Sequence, residues 1–420
     1  MKNVLVFSCG AIPAIDINFA MRGNKEYKIY GASSYDDHGL YVYENYIGGV
    51  PFLYEEDFIP RFNEILRKYN IDFIIPLHED MILFFQKHIY EIKATVISSC
   101  YDTALLCRYK SKTYERLAGT DFIPQTYNIC EVKEFPVFVK KDDDQGARHA
   151  YKVDNPKDLE LYARQPKMII CEYLPGEEVT VDCFTDRNHQ LRFINPRAAD
   201  RILAGIDVHA RRIQDEVDIY RIAEEINKKI EFRGPWFFQV KKDKNGQYKL
   251  LEIATRFAGA FALTLGMDIN TPLMAIRDFD NKEVEFDYND TPIEADKMFI
   301  SRYTVPIKYD RVICDEVESF CIQEKLDTFF MMFIYQCINK KIRLILLTEN
   351  EKETKEKLSM LSICESVFVI KSKNTLEEEI CAGNCVLITR NEILKKQCRK
   401  QYGCFCYDSS LIAPLIDWRG

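Results

Sequence analysis

Hydrophobic positions change their period along the chain, and the changes divide it into three stretches. In residues 1–105 short apolar runs alternate with helical-period segments. Residues 4–8, 27–32, 72–76 and 94–98 read as strands, and 12–21, 58–69 and 79–87 as helices. In 58–69, Phe58, Phe62, Ile65, Leu66 and Tyr69 recur on one helical face. Strand and helix in alternation predict a doubly wound parallel sheet. The first turn, Ser8-Cys9-Gly10-Ala11-Ile12-Pro13-Ala14, lacks the Gly-x-Gly-x-x-Gly spacing. A structural Rossmann-like domain is therefore expected over 1–105, rather than a dinucleotide site.

Residues 106–297 change character. A short helix over 112–119 ends at a glycine, and strands follow at 137–140, 167–173 and 180–185. An amphipathic helix spans 213–230 with Val217, Tyr220, Ile222, Ala223 and Ile226. Then Phe237-Phe238-Gln239-Val240-Lys241-Lys242 and Leu250-Leu251-Glu252-Ile253-Ala254 flank a turn at Lys244-Asn245-Gly246-Gln247, which reads as an antiparallel hairpin. This middle stretch is α+β. A third unit, 298–420, returns to α/β alternation. It has strands at 312–314, 343–348, 367–370, 386–389 and 405–407, helices at 326–339 and 352–361, and a packed C-terminal helix at 415–419.

Composition narrows the classes. The chain has 420 residues, 47% of them hydrophobic and 29% charged, with a formal charge of -8. That size carries two or three domains with real cores. The negative balance argues against nucleic acid and anionic membrane as partners. No apolar run approaches the ~18 residues that span a bilayer, and the apolar start is too short for a signal peptide. The 15 cysteines, nine of them at or after Cys314, then read as reduced thiols of a cytoplasmic protein. A zinc site among Cys381, Cys385, Cys398, Cys404 and Cys406 is disfavoured, since no Cys-x-x-Cys spacing and no nearby histidine accompany them.

Candidate chemistry concentrates in the middle stretch. Gln239 and Glu252 on paired strands, followed by Arg256, can hold magnesium through oxygen and present a guanidinium to phosphates. The alternative is an exposed hairpin with a chance carboxylate. Other pieces surround it in order: Ser111-Lys112-Thr113-Tyr114-Glu115-Arg116-Leu117; Phe122-Ile123-Pro124-Gln125-Thr126; Phe135-Pro136-Val137-Phe138-Val139-Lys140; and Ile169-Ile170-Cys171-Glu172-Tyr173-Leu174-Pro175-Gly176-Glu177-Glu178-Val179-Thr180-Val181-Asp182. Together, residues 1–295 resemble the ATP-grasp superfamily of carboxylate–amine ligases, particularly its carbamoyl-phosphate-synthase-like branch.

The resemblance implies an ATP-grasp fold over 106–297, with ATP and Mg2+ as cofactors. It implies that Lys112, Lys140 and Arg148 contact phosphates, that Glu172 and the Leu174 backbone read adenine, and that Glu178 holds the ribose. It implies that Glu252 and Gln239 hold the metal and that Arg256 contacts phosphates. Arg197, in Ile194-Asn195-Pro196-Arg197, stands on the acceptor side with Arg201, Gly205, His209, Arg211 and Arg212. Relatives often have a second arginine two residues on, where this chain has Ala199, so the second is missing unless Arg201 replaces it. Ala254 likewise replaces the usual asparagine. The flap keeps only Gly146 and Ala147 of its small residues. It carries Asp142, Asp143 and Asp144, whose charges are expected to repel a triphosphate.

The third unit is similar to haloacid-dehalogenase-like phosphatases. Asp315 matches the nucleophile and Thr348 the phosphate-binding threonine, while Val317 replaces the acid/base aspartate and the late acidic pair is missing. A degenerate, inactive relative is expected. The resulting expectation is an ATP-dependent ligase that activates a carboxylate as an acyl phosphate and joins it to an amine. Catalysis is assigned to Lys140, Arg256 and Arg197. The expected partners are small-molecule carboxylate and amine substrates and a second copy in a homodimer. The rivals are a nucleotide-binding pseudoenzyme and a phosphatase acting through Asp315.

Overall fold

The computed structural model describes residues 1–144, 149–203, 206–214, 216–298, 300–322 and 325–419, without the side chain of Ile206. Two compact units divide the chain, residues 1–299 and 300–420. Among the described residues no helix is long and apolar enough to cross a membrane.

The first unit opens with five parallel strands: β1 (Lys2–Phe7), β2 (Tyr27–Ala32), β3 (Tyr46–Ile47), β4 (Ile71–Pro76) and β5 (Thr95–Val96), in the order β3-β2-β1-β4-β5. Helices α1 (Ile12–Ala20), α2 (Phe58–Lys68) and α3 (Glu79–Lys87) lie between them, and α4 (Tyr101–Arg108) and α5 (Lys110–Arg116) follow. β1 is apolar at consecutive positions because both faces are covered. Val4 and Val6 enter one core with Ile29, Phe73 and Ile75, while Leu5 and Phe7 enter another with Phe58, Phe62 and Phe85. The first of these cores also takes Phe257, Phe261, Ala275 and Ile276. The parallel sheet and the segment after the hairpin thus share one interior.

A small antiparallel sheet comes next: β6 (Thr126–Tyr127), β7 (Val137–Lys141), β8 (Ala150–Val153) and, after α6 (Pro156–Ala163), β9 (Met168–Glu172), in the order β6-β9-β7-β8. A larger antiparallel sheet is built from β10 (Glu178–Thr185), β11 (Leu191–Leu203), β12 (Ile206–Arg212), then, past α7 (Val217–Lys229), β13 (Gly234–Lys242) and β14 (Tyr248–Ala254), and, past α8 (Thr271–Phe279), β15 (Glu294–Asp296). Its order is β14-β13-β10-β11-β12-β15. Period-two alternation sorts its faces. Val179, Val181, Cys183, Phe238 and Val240 pack with Ile219, Ile222, Ala223 and Ile226 of α7, which leaves the polar positions on the other face. The β13–β14 turn is closed by Asp243, whose Oδ1 accepts from the Asn245 and Gln247 amides at 2.8 and 2.9 Å. Gly246 there has φ +81°, a conformation that glycine adopts at little cost.

The second unit contains β16 (Arg311–Cys314), the short pair β17 (Cys321–Ile322) and β18 (Lys325–Leu326), α9 (Thr328–Asn339), β19 (Arg343–Thr348), α10 (Glu351–Met360), β20 (Val369–Ser372), α11 (Leu376–Cys381), β21 (Cys385–Ile388), α12 (Glu392–Tyr402) and β22 (Phe405–Tyr407). Its five-stranded sheet is parallel, in the order β20-β19-β16-β21-β22.

Several elements differ from the sequence reading. The helix expected at 415–419 is a single 3-10 turn, Ala413–Leu415. Beyond it Asp417 accepts from the Arg419 amide at 3.2 Å and pairs with Lys340 at 2.7 Å, side-chain bonds that compete with helix formation. The helix expected from residue 326 begins at Thr328, because Asp327 caps it by accepting from the Phe329 amide at 2.9 Å. Helices α4 and α6 and strand β12 were not read from the periodicity.

Candidate functional site

The polar face of the large sheet carries the site, and strand register builds it. Arg197 stands opposite Thr180, Thr180 opposite Gln239, and Gln239 opposite Glu252. On the other side of Arg197 stands Arg212. Five residues far apart in sequence therefore form one row across four strand junctions. Gln239 donates its amide to Thr180 Oγ1 at 3.2 Å, leaving its carbonyl oxygen for another contact. Glu178, one step along β10, pairs with Lys241 at 3.4 Å, and burial raises its carboxyl pKa.

The small sheet meets this row through Lys140. Its Nζ donates to Tyr114 Oη at 2.8 Å and to the Leu251 carbonyl at 3.0 Å, and Tyr114 in turn donates to that carbonyl at 2.8 Å. The lysine is 7% exposed, and burial pushes its pKa down.

A second lysine, missed from the sequence, is Lys110. It lies 3.3 Å from Glu252 Oε2 and donates to the Asp144 carbonyl at 2.8 Å. The expected Lys112 is exposed and stacks its ammonium over the Tyr109 ring at 4.7 Å. Helical geometry explains the correction. Residues 110 and 114 share a face of α5 at i, i+4 spacing, whereas 112 points roughly opposite. Only a residue count that set the helix start at Lys110 would have found it.

Arg256 follows β14 by two residues. Its guanidinium lies 5.1 Å from the Phe237 ring centre, donates to the Phe257 carbonyl at 3.2 Å, and approaches Glu79 at 3.6 Å. Glu79 begins α3 at the carboxyl edge of the parallel sheet, where such folds present their ligands. It also approaches Arg108 at 3.6 Å. Burial raises the Glu79 pKa, opposed by Arg256. Beside it, burial and then Arg256 push His78 down.

Other expected positions are held differently. Glu172 Oε1 accepts from the Gln125 amide at 2.9 Å, and Leu174 is buried. Arg197, expected to reach substrate, is 1% exposed. Its Nε donates to Asp182 at 2.9 Å and its Nη1 pairs with Asp207, so two of its three nitrogens bind the protein itself. Arg201 pairs with Asp296 and is largely exposed. His209 faces Asp200 at 3.4 Å, Arg211 pairs with Glu177 at 2.7 Å, and Arg212 pairs with Asp290.

The three flap aspartates each have a partner. Asp142 accepts from the Ser111 amide and hydroxyl, both at 2.7 Å, which tethers the start of α5. Asp143 pairs with Lys167 and Asp144 with His149. Of the three, Asp143 alone meets a cation, while Asp142 is held by neutral donors and Asp144 by an imidazole. Gly146, Ala147, Arg148 and Gly205 lie outside the described residues.

Among the described residues no group of three His, Cys, Asp or Glu side chains is arranged to hold a metal. Among the late cysteines, Cys385 and Cys404 bring their sulfurs to 3.5 Å. What remains for a hard cation is the Glu252 carboxylate with the Gln239 carbonyl oxygen. That set suits an ion whose other ligands are phosphate oxygens and water.

In the second unit Asp315 follows β16 and is 6% exposed. One carboxylate oxygen accepts from Thr389 and the other from Ser319 at 3.3 Å. Thr348 is hydrogen-bonded to Thr354 at 2.6 Å and accepts from the Asn350 amide at 2.9 Å.

Residues 164–298 match a family model described as ATP-grasp in the biosynthetic pathway with Ter operon. Solved structures with a similar fold include biotin carboxylase of Campylobacter jejuni as a β-γ-ATP complex (17% identity, 68% of this chain and 72% of that one, TM-score 0.56). N5-carboxyaminoimidazole synthetase of Staphylococcus aureus with ADP is another (18%, 70% and 81%, 0.58). A third is the biotin carboxylase domain of 2-oxoglutarate carboxylase from Hydrogenobacter thermophilus with MgADP and bicarbonate (14%, 68% and 71%, 0.57). Among curated proteins none matches the sequence. At these identities the likeness establishes a shared fold, ATP-grasp.

Proposed function

We propose that the chain is an ATP-dependent ligase. The observation that carries this reading is the convergence of Lys110, Lys140 and Glu252 in one corner between the two antiparallel sheets. Two cations and a carboxylate fit a nucleotide polyphosphate with its magnesium. Glu252 and Gln239 would hold the ion, which when bound neutralises developing charge on the phosphates. Lys110 and Lys140 orient the phosphate chain, and Arg256 meets the terminal phosphoryl group. That group passes to a substrate carboxylate oxygen, giving ADP and an acyl phosphate. An amine then attacks the acyl carbon, phosphate leaves, and the amine proton is lost. Positioning and fixed charge supply the catalysis. The partners on this reading are the small-molecule carboxylate and amine and a second copy of the chain.

The test is ADP release from ATP and magnesium, with pooled carboxylates and amines and each pool omitted in turn. Release that needs both pools supports the ligase. ATP binding with no pool-dependent turnover would replace it by the second reading, a nucleotide-binding pseudoenzyme, which Ala254 and the sparse metal ligands favour.

For residues 300–420 we propose a degenerate haloacid-dehalogenase-like unit. Asp315 spends both oxygens on Thr389 and Ser319, which leaves it a poor nucleophile. No hydrolysis of p-nitrophenyl phosphate with magnesium is expected. Hydrolysis abolished by Asp315→Asn would restore the phosphatase reading.

A further inference from the structure

The acceptor-side motif lacks its second arginine, yet the structure brings a second guanidinium to Arg256 from elsewhere. Arg108 ends α4 and Glu79 begins α3, and neither belongs to the hairpin. The two oxygens of the Glu79 carboxylate face different partners. Oε1 lies 3.6 Å from Arg256 Nη2, and Oε2 lies 3.6 Å from Arg108 Nη1. Its side chain is 12% exposed, so water screens these contacts only partly.

The two guanidiniums also share an unusual feature. Arg256 Nε and Arg108 Nη1 are buried and have no hydrogen-bond partner. Buried N–H groups are normally satisfied, and two unmet donors around one carboxylate mark a place where an acceptor is missing. Arginine pairs suit an oxyanion because each fork offers parallel donors. Lys110 follows Arg108 by two residues, and Arg256 follows the strand that carries Glu252, which puts the pair beside the corner described above.

We propose that Glu79 is a positioning residue that holds Arg108 and Arg256 together as a guanidinium pair for the terminal phosphoryl group of ATP. The proposal rests on the ligase reading for its nucleotide. Glu79 itself touches no substrate. It fixes the angle of Arg256, whose other anchors are the Phe257 carbonyl and the Phe237 ring, and together with Asp80, which lies 3.2 Å from Arg108 Nη2, it holds Arg108 on a helix outside the grasp sheets. The parallel domain thereby contributes to a site that the sequence assigned to residues 106–297.

A double-mutant cycle on the preference for ATP over ADP, measured calorimetrically with magnesium, tests this. The variants are Glu79→Gln, Arg256→Met and the pair together. In the wild-type background Arg256→Met is expected to lower the preference about tenfold, and in the Glu79→Gln background less than about threefold. Arg108→Gln is expected to lower the preference in the wild-type background as well. It provides a second route should Glu79→Gln melt at the assay temperature. Additive effects of Glu79→Gln and Arg256→Met would overturn the positioning role, because a carboxylate acting only through its charge adds independently. Equal losses for ATP and ADP would overturn the assignment to the terminal phosphoryl group. A folded wild-type protein that binds neither nucleotide would instead remove the ligase reading, a result distinct from both.

Discussion

Lys140→Ala is expected to weaken binding of ATP with magnesium by about a hundredfold, the scale of a charge-assisted contact in a partly dry site. The fold should survive, because Tyr114 keeps its own bond to the Leu251 carbonyl when the lysine is gone. Lys110→Ala should weaken binding by about tenfold, the smaller loss reflecting its partial neutralisation by Glu252. Lys112→Ala should leave binding unchanged, since its ammonium lies over Tyr109 on the exposed side of α5. Titration calorimetry on the three variants decides the matter. A large loss in Lys112→Ala with none in Lys110→Ala would reverse the assignment made from the structure.

The same lysine sets a pH dependence. Burial lowers the Lys140 pKa, and phosphate contact needs the charged form. Wild-type affinity is therefore expected to fall as pH rises, beginning below the ordinary lysine value of about 10.4. Stability of the free protein runs the other way. Between the folded and unfolded pKa the unfolded chain holds more protons, so this group makes stability rise with pH. Lys140→Ala should flatten both dependences. Affinity that stays constant up to the ordinary lysine range would show that the buried ammonium is not the phosphate contact.

The parts of the site legible in the sequence are those carried by local pattern. Period-two alternation and an Asn-Gly turn made the β13–β14 hairpin readable, and with it the facing of Gln239 and Glu252. Lys140 was readable because it stands near the end of an apolar strand. Long-range placement was not. Glu79 and Arg108 enter the corner from helices that come long before the hairpin in sequence, and no periodicity announces such a meeting. The partners of the flap aspartates were hidden for a related reason. Ser111 and Lys167, which satisfy Asp142 and Asp143, lie 31 and 24 residues away. Lys110 and Lys112 differ by two positions, so a helix start misplaced by two residues exchanged the inward lysine for the outward one. The ion pairs of Arg197 were hidden as well, because Asp207, which holds one of its nitrogens, comes from β12, a strand the pattern did not reveal.

Arg197→Met is expected to destabilise the first unit by about 3 kcal/mol, because it strands two carboxylates that the guanidinium now joins. Asp182 is 7% exposed, and burial already raises its pKa despite the arginine beside it. Without that partner the carboxyl must take up a proton or draw in water, and either costs stability. Replacing the whole cluster by apolar groups should cost less than removing the arginine alone, since no charge then stays buried unpaired. Unfolding in urea, followed through the buried Trp236 in a Trp418→Phe background, reads this unit. The expected order is wild type, then Arg197→Met with Asp182→Leu and Asp207→Leu, then Arg197→Met alone as the least stable. A loss below about 1 kcal/mol in the single variant, with a strong loss of ligase turnover, would return Arg197 to the role of a substrate-binding arginine. The prediction thus separates the two uses of a buried arginine on a sheet face. One ties three strands together, and the other keeps donors free for a ligand.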